Sequence, residues 1–215
     1  MRSRIPCSGN QGSTMSLHLV ANRIDPSRIL DVGANVGAWA TEAKRLWPNA
    51  DIFMVEANKE CEGELRKTGF PFQIALLSSK REWRSFFRNK NCPSCTGASM
   101  YQEQTQFYDG ENASEEKLPT LTLDEMFPKA SFDFIKIDVQ GAELDVLKGG
   151  KSLVRRSKAS LLELSLTEYN IGAPMAAEVA EYCRSIGFTK SIPIQNIIHP
   201  IEREKVIQID TLFLR

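Results

Sequence analysis

The feature that most restricts the fold is a repeating order of short apolar runs and helix-like stretches. RILDV at 28–32 reads as a buried strand and 36–46 as a helix. Trp47-Pro48-Asn49 ends that helix, because proline cannot continue the hydrogen-bond ladder. A second strand is read at 51–55, a second helix at 59–67 and a third strand at 72–77. The order returns with a strand at 132–139 and a helix from Ala142, interrupted at Lys148-Gly149-Gly150-Lys151. A strand at 159–166 and a helix at 175–185 follow, with Gly187 as the cap beyond it. Strands at 189–195 and 205–214 come last. Alternation of this kind predicts an α/β fold, a mainly parallel sheet covered on both faces. The final two strands are joined by about ten residues, too few for a helical crossover, so they are expected to pair antiparallel. Between 79 and 118 the alternation fails. Strands at 83–87 and 99–101 of a hairpin-like insertion and a polar loop at 102–117 are expected there.

The 215 residues suit one domain over 17–215 that carries this insertion, and no internal repeat argues otherwise. Residues 1–16 read as a flexible tail, with Met15 a candidate original start; two arginines without an apolar run after them do not make a secretory signal. No apolar run approaches the ~18–20 residues of a membrane span. Lys plus Arg and Asp plus Glu are 27 each, which argues against a dedicated duplex-binding protein. Five scattered cysteines fit a reducing compartment with mostly free thiols, and the cytoplasm is the expected location. The sequence is silent on oligomeric state.

Asp31-Val32-Gly33-Ala34-Asn35-Val36-Gly37 lies between the first strand and the first helix. Ligands of open α/β sheets bind outside the carboxyl ends of the strands. Glycines there allow a tight turn and a close approach, and helix N-termini favour negative groups. Asn35 and Ala38 stand where the dinucleotide fingerprint requires glycines. An acid at the strand end suits a ligand with positive charge. The second strand ends in Val55-Glu56-Ala57-Asn58, which places an acid about 20 residues on, where it can accept from both ribose hydroxyls. Two such acids point to a nucleoside with a cationic arm, and S-adenosylmethionine fits. Each acid alone also has a bland reading, Asp31 as a helix cap and Glu56 as a solvated loop residue.

A second block consists of Leu118-Pro-Thr-Leu-Thr-Leu-Asp124-Glu and Phe134-Ile-Lys136-Ile-Asp138-Val-Gln140-Gly141-Ala-Glu143-Leu-Asp-Val-Leu-Lys148-Gly149. With the glycine turn, it resembles the FkbM family of S-adenosylmethionine-dependent methyltransferases from about 28 to 166, and more loosely to the C-terminus. Gln140 departs from the glutamate usual at its position. The resemblance implies a Rossmann-like class I methyltransferase fold, a seven-stranded sheet of order 3-2-1-4-5-7-6 with the last strand antiparallel. It also implies methyl transfer, mostly to hydroxyls of sugars, glycolipids or natural products. The cofactor contacts it implies are Asp31, Gly33, Ala34, Asn35, Gly37, Glu56, Ala57, Asn58 and Ala75, with Asp138 nearest the methyl group. The expected partner is a small-molecule or glycan acceptor, and no metal is expected.

Displacement at a methyl group needs alignment, and a hydroxyl acceptor needs a base. Phe134, Lys136 and Asp138 share one strand face by two-residue alternation. Asp138, at the strand end, is the candidate base; its alternative role is to orient the cofactor or cap the next helix at Gly141. Lys136 needs a buried partner, for which Glu163 on the neighbouring strand is the candidate, in a structural pair or in catalysis. His199, in the loop between the last two strands, is a second candidate base, or a solvated loop residue. Lys80, Arg81, Arg84, Arg88 and Lys90 interleave with Trp83, Phe86 and Phe87, as a gripping surface or as a charged edge strand with its aromatics turned inward. Cys92-Pro-Ser-Cys95 has half the ligands of a structural zinc site, and two free thiols or a chance disulfide are preferred. The rival functions are a nicotinamide-dependent oxidoreductase, a non-catalytic nucleoside-binding module and a nucleic-acid methyltransferase. Tyr-x-x-x-Lys and Asn/Asp-Pro-Pro-aromatic, signatures of the first and last, are absent.

Overall fold

The structure is a computed structural model that describes residues 13–108, 110–199 and 201–215. In chain order the elements begin with α1 (Ser13–Ala21), β1 (Arg28–Val32), α2 (Ala38–Leu46), β2 (Asp51–Glu56), α3 (Glu62–Thr68) and β3 (Phe72–Ile74). Then come β4 (Leu76–Leu77), β5 (Trp83–Asn89), β6 (Ala113–Leu121), α4 (Leu123–Met126) and β7 (Phe134–Ile137). They end with α5 (Glu143–Gly149), α6 (Lys151–Val154), β8 (Ala159–Ser165), α7 (Ala176–Ser185), β9 (Lys190–Ile198) and β10 (Val206–Leu214).

Seven strands form the main sheet in the order β3-β2-β1-β7-β8-β10-β9. Counting only these strands, that is the expected 3-2-1-4-5-7-6. The first five pair parallel, and β10 runs antiparallel to both β8 and β9. Successive strand residues point to opposite faces, and both faces are apolar. Ile29, Phe134 and Leu161 enter a core with Leu17 and Val20 of α1 and Ala40 and Ala43 of α2. Their neighbours Leu30, Ile135 and Leu162 enter the other core, with Leu147 of α5 and Val179 of α7. Burial on both sides is what permits parallel strands as short as β7, all of whose residues are buried. The Gly149-Gly150 pair does interrupt the helix after β7. A Cβ on Gly149 would lie 2.1 Å from the Ser78 carbonyl oxygen, so only glycine lets α5 pass this close to the chain after β4.

Four expectations are corrected. The run at 72–77 is two strands, because the chain changes sheets at Ala75: β3 pairs with β2, while β4 pairs with β6. The supposed polar loop at 102–117 contains the start of β6, which sits between β4 and β5 in a second, three-stranded sheet. Its charges are tolerated because they find partners across the strands, Arg88 to Glu116 at 2.7 Å and Ser85 to Glu115 at 2.6 Å. The strand expected at 99–101 reduces to a single bridge, Ser99 to Phe87. The tail expected at 1–16 lies outside the described residues up to 12, and 13–16 belong to α1, which Leu17 and Val20 anchor in the core. Among the described residues no helix is long and apolar enough to cross a membrane.

Candidate functional site

The site is built where β1, β2 and β7 end, on the carboxyl side of the sheet. Parallel register sets Asp31 of β1 directly beside Lys136 of β7. Asp31 is fully buried, and the Lys136 ammonium lies 3.1 Å from it and 3.5 Å from Asp138. The ammonium also donates to the Gly33 carbonyl at 2.9 Å. Burial pushes both partners toward their neutral forms. For Lys136 the attraction of Asp31, then Asp138, outweighs it and the pKa is raised; for Asp31 burial is the larger effect and the carboxyl is raised. We read the pair as charged, because Lys136 faces two carboxylates and a carbonyl oxygen. This corrects the expected Lys136–Glu163 pair: Lys136 registers with Leu161, and Glu163 lies one pleat further on.

Gly33 turns the chain with φ +76, and its amide donates to the Val55 carbonyl at 2.9 Å. A Cβ there would stand 1.8 Å from the Asp138 carbonyl oxygen. Asn35 follows in the left-handed region at φ +48. The turn thus aims the Asn35 amide at Glu56. Glu56 accepts from the backbone N–H of Asn35 and of Asn58, each at 2.7 Å, which fixes both carboxylate oxygens. Burial raises the Glu56 carboxyl, and the Asn58 and Asn35 amides oppose that rise.

Beyond β7, Gln140 is held at φ +55, an uncommon conformation for a residue with a side chain. Its amide donates to Asp138 at 2.9 Å and to Glu163 at 2.6 Å. Asp138 therefore has one oxygen on Gln140 and the other near Lys136, and its side chain is 34% exposed. Burial, then Asp138 and Asp210, push the Glu163 carboxyl well up. The Gly141 amide is taken by Glu143, which accepts from Val139 at 3.0 Å and Gly141 at 3.2 Å, so Asp138 is not the cap of that turn.

Burial pushes Glu143 up to about 7 against the pull of these backbone donors. The folded value exceeds the ordinary 4.5, so this group favours the fold below about 4.5 and loses its contribution as pH rises through about 7. Glu143→Gln removes that dependence. Urea midpoints are expected to show the variant gaining about 2–3 kcal/mol on wild type between pH 4 and pH 8. Parallel pH profiles of the two proteins would show that Glu143 does not titrate in this window.

These pieces line one open cleft. Of the residues expected to hold a cofactor, Gly33, Asn35, Glu56, Ala57, Ala75 and Asp138 line it. Asn58 lines an adjoining hollow that shares Ala57, Ala75, Leu76 and Phe86 with the cleft. Asp31, Ala34 and Gly37 sit behind the wall: Asp31 and Ala34 are buried, and the space a side chain on Gly37 would need is filled by Thr68. His199 is not part of the cleft wall; its Nδ1 accepts from Ile201 and Glu202 in its own turn, and its ring meets Tyr169 edge-on at 5.7 Å.

The insertion at 79–118, expected from the sequence to help form the acceptor pocket, supplies the outer wall of the cleft. Residues 95–100 of the insertion line the cleft, and the Ser99 hydroxyl donates to the Val139 and Gln140 carbonyls at 3.0 and 2.8 Å. Cys92 and Cys95 are joined as a disulfide, the second of the two alternatives the sequence left open. Four of the five basic residues named in the insertion are paired with acids, Lys80 and Arg84 with Glu82, Arg81 with Glu125, and Arg88 with Glu60 and Glu116. Of its aromatics, Phe86 is buried while Trp83 is 69% exposed. The Thr-Leu-Asp segment is structural: Asp124 accepts from the amides of Ser152 and Leu153 at 2.9 and 2.8 Å and so caps α6. Among the described residues no group of three or more His, Cys, Asp or Glu side chains is arranged to hold a metal ion.

Residues 31–190 match the methyltransferase FkbM domain, a stretch running from Asp31 to the start of β9. The chain belongs to the FkbM methyltransferase family. One relative, the 2-O-methyltransferase NoeI of Sinorhizobium fredii (strain NBRC 101917 / NGR234), is 29% identical over 158 residues. That match covers 64% of this chain and spans 63% of the relative's length. Among solved structures, the N-terminal domain of EvdMO1, in the presence of SAH and D-fucose, is similar with a TM-score of 0.54 at 12% identity, covering 96% of this chain and 84% of that one. The precorrin-6y C5,15-methyltransferase of Geobacter metallireducens GS-15 is similar with a TM-score of 0.50 at 13% identity, covering 94% of this chain and 88% of that one. Both likenesses speak to the fold, which is that of the Rossmann-like methyltransferases.

Proposed function

We propose that this FkbM-family chain uses S-adenosylmethionine to methylate a hydroxyl on a sugar-bearing or other polyhydroxylated small acceptor. The observation that carries the reading is one cleft with two differently prepared carboxylates. Glu56 is held rigidly by two backbone amides, and Asp138 is held by Gln140 and Lys136 with its side chain open to the cleft. The donor set fits the cofactor. In this reading Glu56 accepts from ribose hydroxyls, and Ala57, Ala75, Leu76 and Phe86, which line the cleft, form an apolar wall for a flat base. Gly33, with no side chain, lets the β1 turn pack directly against the Asp138 carbonyl. Asp31 acts from behind, by holding Lys136 against the Gly33 carbonyl. When bound, the cofactor supplies an electrophilic methyl group.

In this reading Asp138 accepts the proton of the acceptor hydroxyl as general base. Lys136 and Gln140 fix its orientation, and Glu163 anchors the far side of Gln140. The choice of a hydroxylated acceptor draws support from the relative named a 2-O-methyltransferase and from the fold neighbour crystallised with a sugar. Calorimetric titration with SAH is the direct test. Micromolar binding is expected, and Glu56→Ala is expected to weaken it by about 1–3 kcal/mol, as for losing hydrogen bonds to a charged group. Unchanged affinity in a folded variant would remove Glu56 from the site. Binding of NADH in place of SAH would move the reading to an oxidoreductase. Transfer of label from methyl-labelled cofactor to a panel of glycosides then tests the acceptor class.

A further inference from the structure

The disulfide of the insertion sits against the cofactor cleft. Pro93 and Ser94, the two residues between Cys92 and Cys95, each present a carbonyl to the site. The Asn58 side-chain amide donates to the Pro93 carbonyl at 2.6 Å, and the Asn35 side-chain amide donates to the Ser94 carbonyl at 3.1 Å. These are the same two residues whose backbone amides fix Glu56. Each asparagine thus clamps the acid with its main chain and the loop with its side chain. Cys95, Thr96 and Gly97 continue from the disulfide as cleft wall. The Cys92 amide is held by Asn89 at 3.1 Å and the Cys95 amide by the Cys92 carbonyl at 3.0 Å, so the four-residue ring is closed by both a hydrogen bond and a covalent link.

We infer that Cys92 and Cys95 form a thiol–disulfide exchange site, a latch whose oxidised form preorganises the nucleoside-binding wall and whose reduction weakens cofactor binding. The inference rests on the nucleoside reading of the cleft. Cys92 and Cys95 are half-buried and Pro93 and Ser94 exposed, so a small or protein dithiol can reach the sulfurs. A thiolate of the dithiol attacks one sulfur, the Cys92–Cys95 bond breaks and a mixed disulfide forms. The second thiol of the reductant then displaces the remaining cysteine. The protein gains two electrons and two protons as two thiols, and the dithiol leaves as its own disulfide. Reduction removes the covalent closure of the ring and frees the two carbonyls from a fixed spacing. A ligand that needs the wall in place must then order it on binding, and affinity falls. In a reducing compartment such an accessible pair responds to the thiol poise, whereas the buried Cys61 and Cys183 remain thiols throughout.

The experiment is calorimetric titration of SAH into the full chain, oxidised and then after treatment with dithiothreitol. The reduced protein is expected to bind SAH about tenfold more weakly. The Cys92→Ser, Cys95→Ser double variant is expected to match the reduced protein and to ignore dithiothreitol. Equal affinity in the two redox states, or tighter binding after reduction, overturns the latch. Binding in neither state overturns the nucleoside reading, and the latch with it. Should circular dichroism show the double variant unfolded, the comparison on the wild-type chain decides alone.

Discussion

Lys136→Met is expected to destabilise the fold by about 3–5 kcal/mol, because it leaves Asp31 as an uncompensated buried charge. The side chain it replaces does three things at once: it neutralises Asp31, holds the Gly33 carbonyl and steadies Asp138. Urea unfolding gives the loss directly. The double variant Asp31→Asn, Lys136→Met removes both charges and is expected to recover most of it, so the two substitutions will be far from additive. A loss below about 1 kcal/mol in the single variant would mean that Asp31 takes up a proton at little cost, as the direction of its burial effect favours. SAH binding should fall further in the single variant than in the double one if the turn at Gly33 is held through this pair.

Gly33→Ala is the second large effect. The new methyl would have to share space with the Asp138 carbonyl, 1.8 Å away, and the residue would sit at φ +76, where alanine is strained. Backbone strain alone amounts to ~1–2 kcal/mol, and relief of the clash must push β7 and the β1 turn apart. The total expected is about 3 kcal/mol or more, or a melting temperature lower by roughly 6–12 °C for a chain of this size. Gly63→Ala is the control, since a methyl there meets nothing within 4 Å and α3 gains a better helix former. A Gly33→Ala protein that melts with wild type would show that the turn can relax, and that close packing of the β1 turn against the Asp138 carbonyl does not require the glycine.

Much of this architecture was legible because it depends on patterns local in the chain. The order of apolar strands and helices specified the sheet, and the spacing from Gly33 to Glu56 located two strand ends on one rim. What escaped was set by register and by partners far away. Alternation placed Lys136 and Glu163 on facing surfaces, but only the parallel register puts Asp31 beside Lys136 and leaves Leu161 opposite on the other flank. The β6 segment read as loop because Ser114, Glu115, Glu116 and Lys117 are polar. Its pairing is stabilised across strands, by Arg88 on Glu116 and Ser85 on Glu115, and no single stretch displays that. Gln140 looked like a lost carboxylate. In the fold its amide bridges Asp138 and Glu163, where a third carboxylate would add repulsion to an already crowded group.

The position of β10 also bears on how the molecule forms. It follows β9 in the chain yet lies between β8 and β9, contacting both over most of its length. During synthesis β9 therefore emerges with no edge to join, and β8 presents a row of unpaired backbone groups until β10 arrives. Closing the sheet must wait for a pairing that links Ala159 to Leu214, a long loop to close and a slow step by topology alone. Arg215 fastens the end of that strand, donating to the carbonyls of Ser157, Ile186 and Val154 while its guanidinium lies 4.3 Å from the Phe188 ring centre. A ribosome that stalls before β10 would release a chain with an open strand whose residues are all buried in the finished fold, the kind of species that aggregates or recruits chaperones.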